Sequence, residues 1–342
     1  MKVSIIINNF NYARFVATAV ESALAQTHSP CEVIVVDDGS TDESRELLEP
    51  FRERVQLVFK PNGGQASAFN AGLRVAAGDL VAFLDSDDAL LPEAMQKAVS
   101  AWTANASKVQ FPLEILDHHN RRTGLLMPRG QLSEGSLVKQ FLETGRYVTS
   151  PNSGNLFCRP FLEKIFPIPE DQFETGDGYI NTCAPFYGTV IALSEPLGFY
   201  RIHGPSLSSV AHDGVVHLPQ MKRLMRHAMA EKVLLESLAR ERGLALSTRA
   251  VFSHWMHLKL KMSLDRLSHP ASVSRFRELM RSACGMAVSV IESQELTVLR
   301  KVQHILWAFA VAVLPSGQAT KFIEYAFDHA PTSAVSRFLR RM

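Results

Sequence analysis

Along the first third of the chain, short unbroken apolar runs alternate with helical patterns. VSIIINNF (3–10), EVIVVDDG (32–39), VQLVF (55–59) and DLVAFLD (79–85) are β-branched or continuously apolar and predict four strands. Between the first two, Phe15, Val16, Ala19, Val20, Ala23 and Leu24 recur at helical spacing over 13–26. Further helices fit 42–53 and 66–76, and Pro61, Asn62, Gly63 and Gly64 mark a loop. Apolar strands joined by helices predict a mostly parallel, doubly wound Rossmann-like α/β sheet covered on both faces. In such sheets ligands lie beyond the carboxyl ends of the strands, where Asn8, Asp38 and Asp85 stand.

From about residue 108 the periodicity is less regular, with turn signals near Asn120, Gly130 and Gly135 and helical patterns over 136–144 and 177–187. After Gly204 long helical patterns dominate, which places a boundary near residue 212: an α/β domain over 1–212 and a helical C-terminal domain over 213–342. A chain of 342 residues, 46% hydrophobic and 20% charged, accommodates two such domains. Its net charge of +2 conceals a split. Residues 213–342 carry 19 Lys and Arg against 10 Asp and Glu, and residues 1–212 carry 17 against 24. The four cysteines are scattered and form neither a disulfide framework nor a zinc pattern. His254 and His257 in HWMH have no accompanying carboxylate or cysteine pattern and are not read as a metal site. MKVSIIINNF turns polar at Asn8, short of a signal peptide, so the cytoplasm is the expected compartment.

The chemistry concentrates in AFLDSDDALLP, residues 82–92. Two unit charges 4 Å apart repel by roughly 4 kcal/mol at an effective dielectric near 20, so Asp85, Asp87 and Asp88 together invite a cation. Mg²⁺ or Mn²⁺ is held by one or two carboxylates, with water and phosphate oxygens completing the shell. Asp88 also suits the start of the helix after Pro92. In VVDDGSTD (35–42), Asp37 and Asp38 close the second strand, and either can cap the following turn or accept a hydrogen bond from a base or ribose. Dinucleotide and P-loop cradles are excluded. The turn NNFNYAR has no glycine, and the chain has no Walker lysine motif.

Taken in order, VSIIINNFNYARFVATAVESALAQ, EVIVVDDGSTDES, PNGGQASAFNAGLRVAAGDLVAFLDSDDALLPEAM, ETGDGYINTCAPFYG and YRIHGPSLS resemble the family 2 glycosyltransferases of GT-A fold over roughly the first 205 residues. The resemblance implies a nucleotide-sugar site. Asn8, Phe10 and Asn11 would lie along the base, Asp38 would bond to it, and Gly64, Gln65, Asn70 and Ser86 would border the donor. Asp85 and Asp87 would hold Mn²⁺ or Mg²⁺ beneath the diphosphate, with His203 of the late R-x-H segment closing over it. Asp177 in ETGDGYINT matches the family's general base, with Glu174 and Asp171 as alternatives, and the same aspartate suits an N-cap for the following helix. Asn152 and Ser153 in PNSGNLFCRP match the segment lining the acceptor side. Three departures stand out: Asn-Asn-Phe-Asn replaces Pro-Thr-Tyr-Asn, Phe69 replaces an Arg, and Gly176 replaces a Glu.

The resemblance implies an inverting, metal-dependent transfer of a single sugar from a nucleoside-diphosphate donor, UDP or dTDP favoured, to a cell-surface glycan or lipid-linked acceptor. Polymer synthesis is disfavoured, since the chain has neither a set of membrane helices nor a Q-x-x-R-W motif. The alternatives are a sugar nucleotidyltransferase, which would need a Gly-rich basic loop after the first strand, and a non-catalytic glycan- or nucleotide-binding module. No nucleic-acid partner is expected. ILWAFAVAVL (305–314) is half the length of a membrane span and stops at Pro315, which predicts a buried helix. The tail SAVSRFLRRM groups Val335, Phe338 and Leu339 beside Arg337, Arg340 and Arg341, a pattern suited to peripheral contact with an anionic inner membrane face.

Overall fold

The structure, a computed structural model, describes residues 1–203 except His118 and Glu174, and then 211–212, 215–216, 218–247, 255–268, 273–292 and 298–327. The basic tail, Glu174 and His254 therefore lie outside the described residues.

The first part alternates as its pattern predicts: β1 (Val3–Asn9), α1 (Ala13–Leu24), β2 (Cys31–Asp37), α2 (Ser44–Leu48), β3 (Gln56–Phe59), α3 (Gln65–Val75) and β4 (Leu80–Asp85). The expected helix over 42–53 is shorter and ends in a 3₁₀ turn at Glu49–Phe51, which contains Pro50. The chain continues through β5 (Ala89–Leu90), α4 (Ala94–Ser100), β6 (Ala106–Gln110), β7 (Leu113–Leu116), β8 (Arg122–Met127) and α5 (Val138–Thr144). It then forms β9 (Asn155–Cys158), α6 (Arg159–Ile165), α7 (Gly176–Cys183), β10 (Thr189–Ala192) and β11 (Gly198–Arg201).

Seven strands make one sheet in the order β10-β6-β9-β4-β1-β2-β3, with β9 antiparallel to both neighbours and every other pairing parallel. Ile5, Ile6 and Ile7 of β1 are completely buried, because helices cover both faces of this central strand. Each such side chain contributes about 1.5–3 kcal/mol. The strand order reverses between β1 and β4, and the crevice beyond their carboxyl ends is the usual ligand position of such sheets. Asn8 and Asp85 are register partners there. A second sheet, β5-β11-β7-β8, brings Arg201 of β11 to the same end of the molecule and was not legible as strands.

Helix α8 (Leu218–Glu241) follows a two-residue ladder (Ala211–His212 with Val215–Val216), and four further described helices span Trp255–Ser268, Val273–Glu292, Val298–Val313 and Ser316–Phe327. The chain forms two compact units, Met1–His203 with Val233–Ala245, and Gly204–Lys232 with Leu246 onward. The linear boundary expected near 212 gives way to this discontinuous one, because the later part of α8 belongs with the sheet. Leu235, Leu238 and Ala239 are buried, and the Arg242 guanidinium lies 5.2 Å and 5.0 Å from the ring centres of Phe186 and Tyr187. The second unit has its own core, including Met262, Met286, Trp307 and Val311, with the Trp307 indole donating to the Phe322 carbonyl at 2.9 Å.

Candidate active site

Asp85 ends β4, which fixes its backbone, and Asp87 and Asp88 follow in the turn directly after it. Asp85 Oδ1 accepts hydrogen bonds from Gln65 Nε2 and Asn152 Nδ2, each at 3.0 Å, and its N–H donates to Ser153 Oγ at 3.1 Å. Ser153 Oγ in turn donates to Asp88 Oδ2 at 2.6 Å. Asn152 and Ser153 are both buried. The 3₁₀ turn Asn152–Gly154 thus brings both side chains against the carboxylates at the end of β4. Asp88 is buried as well and accepts the Arg201 N–H at 3.0 Å, so it shapes the loop and is no helix cap.

Crowding has an electrostatic consequence. Burial, then the Asp87 and Asp177 carboxylates, push the Asp85 carboxyl up to about 7, with hydrogen bonds from Asn8 and Asn152 acting the other way. Burial, then Asp87 and Asp85, raise Asp88 well above the usual range. One cation is built in. Arg201 Nε donates to the Asp87 carbonyl at 2.7 Å, another of its nitrogens donates to Asn120 Oδ1, and its guanidinium lies 5.0 Å from the Phe15 ring centre. Sequence reasoning placed Arg201 in the R-x-H segment without giving it a role. The Asp87 side chain meets His203 Nε2 at 2.9 Å, and Tyr12 and Phe15 pack on the imidazole with ring centres at 5.4 Å and 4.7 Å.

The donor set suits a hard divalent cation: carboxylate oxygens with surplus negative charge and one imidazole. Among the described residues no three His, Cys, Asp or Glu side chains form a ready-made cage. The residues present therefore fit a cation that takes two protein ligands and completes its shell from phosphate and water.

Asp38 is buried, and its carboxylate is engaged by Lys60 Nζ, by the Gly63 N–H at 3.0 Å and by the Gly64 N–H at 2.7 Å. It thus closes the 60–64 loop, and Gly64, at φ +85°, makes the left-handed turn into α3 that a side chain would resist. Asp37 is the structural member of the pair, accepting from Asn9, from the Ser40 N–H and from Arg45. Asn11 is tied to the β2 turn through Ser40 Oγ and the Thr41 N–H. Phe10 is 42% exposed at the end of β1, and Asn8 Oδ1 is buried with no partner among the described residues. Asn70 is committed elsewhere: its amide bonds the Ile168 backbone and Glu170. Ser86 is buried.

Helix α7 begins at Gly176, with Thr175 at the cap position, so Asp177 sits in the first turn and is not the N-cap. Gln65 joins it to the aspartate loop: its Nε2 holds Asp85 while its Oε1 accepts the Gly176 N–H at 3.1 Å. The Phe69 and Gly176 departures prove to be one feature. A Cβ at 176 would stand 2.4 Å from Phe69 Cδ2, and Phe69 is fully buried, stacked on Phe83 at 4.2 Å between ring centres. Of the alternative bases, Asp171 is exposed.

Residues 4–162 match the family model described as glycosyl transferase family 2. An uncharacterized glycosyltransferase of Nostoc sp. is 40% identical over 211 residues, 60% of this chain and 66% of that protein. The chondroitin synthase of Pasteurella multocida is 43% identical over 97 residues, 28% of this chain and 10% of the synthase. The chain thus spans just under two thirds of the Nostoc protein and a small part of the synthase. Among solved structures, S. aureus TarS 1–349 in complex with UDP gives a TM-score of 0.53 at 16% identity over 96% of this chain and 91% of that one. The mannosyltransferase PcManGT from Pyrobaculum calidifontis, in complex with GDP-Man and Mn²⁺, gives 0.52 at 16% identity over 99% and 88%. The fold is that of GT-A glycosyltransferases.

Proposed function

We propose that the chain is a member of glycosyl transferase family 2, whose model matches residues 4–162, and that it transfers one sugar from a nucleoside-diphosphate donor to a hydroxyl of a glycan or lipid-linked acceptor, inverting the anomeric centre. The observation that carries this reading is the meeting of Asp177 and Asp85 across Gln65 at the β1/β4 crevice. The UDP and GDP-Man found with the solved neighbours support a diphosphate donor, with UDP or dTDP favoured here. Phe10 stacks on the base, and Asn8 Oδ1 accepts from a donor hydroxyl or N–H. Asp177 takes the proton of the acceptor hydroxyl as its oxygen forms the new bond to the anomeric carbon and the diphosphate leaves from the opposite face. Asp85 and Asp87, with His203 against Asp87, would hold Mn²⁺ or Mg²⁺, which when bound offsets the charge on the diphosphate. Arg201 keeps the aspartate loop in place.

A thermal-shift panel of UDP, dTDP, GDP and CMP, each with and without Mn²⁺, tests the donor site. Saturation near 100 times Kd adds on the order of 2.7 kcal/mol. One nucleoside diphosphate should raise the melting temperature, and more so with Mn²⁺. No shift under any condition refutes a working donor site.

No helix of the described residues is long and apolar enough to cross a membrane. We infer a peripheral contact instead. The helix Val298–Val313, which contains most of the segment expected to be buried, is only half so: Trp307, Ala308, Val311 and Ala312 are buried, while Leu299, Val302, Leu306 and Val313 form an exposed stripe on the opposite face. The second unit carries 17 Lys and Arg against 8 Asp and Glu, which supports an anionic lipid surface as the partner of that stripe. Cosedimentation with phosphatidylglycerol vesicles, weak with phosphatidylcholine and lost in Leu306→Glu, is the expected result. Indifference to both vesicle types overturns it.

A further inference from the structure

Lys108, in the middle of β6, has no solvent exposure. Among the described residues no carboxylate pairs with it. Its Nζ donates to Thr149 Oγ1 at 2.6 Å and to Asn181 Oδ1 at 2.7 Å, and lies 5.3 Å and 5.9 Å from the ring centres of Tyr147 and Phe157. The Tyr147 hydroxyl closes the cluster by donating to the Asn181 carbonyl at 2.7 Å. Burying an unpaired ammonium is unfavourable, and burial accordingly pushes this amine well below its ordinary pKa. A methionine of similar length would fill the same space without that cost. What the amine provides is therefore its directed donors; besides the Tyr147 hydroxyl at 3.5 Å, its two close acceptors, Thr149 and Asn181, lead to the active site.

Asn181 lies four residues, about one helical turn, after Asp177 on the same face of α7. Thr149 lies three residues before Asn152, which holds Asp85. The neighbouring inward residue of the same strand, Gln110, fastens the intervening chain by donating to the Ser133 carbonyl and accepting the Ser150 N–H. We propose that Lys108 is a positioning residue that sets the separation of Asp177 from Asp85 by fastening both α7 and the 147–152 segment to β6. The proposal rests on the reading of Asp177 as the base, but its structural half can be tested without that reading.

The variants are Lys108→Met, Asn181→Leu and the double substitution. Three quantities are measured: turnover as release of nucleoside diphosphate from the nucleotide sugar selected by the panel, the donor KM, and amide hydrogen exchange over 176–183. Each single variant should exchange faster in α7 and lose at least about tenfold in kcat, with the donor KM within about twofold and the melting temperature of Lys108→Met unchanged or higher. Because Asn181 acts through its bond to Lys108, the double variant should be no worse than Lys108→Met alone. Faster exchange with unchanged kcat overturns the positioning role. A fall of kcat, donor binding and melting temperature together shows general damage and overturns it too. Should Lys108→Met fail to fold, unchanged kcat in Asn181→Leu refutes the proposal. If wild-type protein itself shows no turnover while α7 still loosens in the variants, the fault lies with the assigned reaction and not with the Lys108 contact.

Discussion

Asp177→Asn lowers turnover by roughly two to four orders of magnitude and leaves nucleotide binding in place. The substitution keeps shape and volume but removes the oxygen that can accept a proton. The helix forms regardless, since Asp177 is not its cap and the Gly176 N–H remains bonded to Gln65. Loss of one negative charge beside Asp85 also relieves part of the repulsion on that carboxyl, so the donor site is not weakened by misfolding of the cluster. Release of nucleoside diphosphate and the Mn²⁺-dependent thermal shift, measured on the same preparation, separate the two effects. A variant that turns over within tenfold of wild type moves the role of base to Asp171 or Glu174, and one that loses the thermal shift as well makes Asp177 part of the donor site.

How much of this was legible in the sequence depended on burial. β1, β2 and β4 lie at the centre of the sheet, so their side chains had to be apolar on both faces, and an unbroken apolar run declares itself. The second sheet could not be read that way. β5 has two residues, and β8 is a largely exposed edge strand of Arg, Thr and Gly followed by apolar residues, with no alternation to detect. The discontinuity of the two units was equally silent, because α8 runs through it with one continuous helical pattern. At the site, the aspartates were visible because their charge is unusual at a strand end. The bonds of Asn152 and Ser153 to Asp85 and Asp88 were not, since the sequence does not tell which polar residues meet a carboxylate 65 or more positions away. Phe69 and Gly176 were visible as two separate departures. That the ring of one occupies the space beside the other follows only from the packing of α3 on α7.

Asp87→Ala should remove the Mn²⁺-dependent part of the nucleotide thermal shift and lower turnover by roughly a hundredfold or more, the scale of several kcal/mol of lost charge stabilisation. The cation-free variant should nevertheless melt no lower than wild type. After burial itself, Asp87 is the carboxylate that acts most strongly on Asp85 and on Asp88, and in the absence of a cation its removal relieves both. A residue that merely held His203 through the 2.9 Å contact would behave the opposite way, destabilising the protein and leaving the ion requirement intact. The pH dependence has a definite sign. Without a cation the Asp85 carboxyl keeps its proton up to about 7, so Mn²⁺ must displace that proton, and the apparent affinity in wild type should fall by up to about tenfold per unit as the pH drops below 7. With Asp87 absent, Asp85 ionises at lower pH, and any residual Mn²⁺ effect should persist further into acid. A Mn²⁺ requirement that survives in Asp87→Ala with its pH profile unchanged means that the ion is held elsewhere than on this loop.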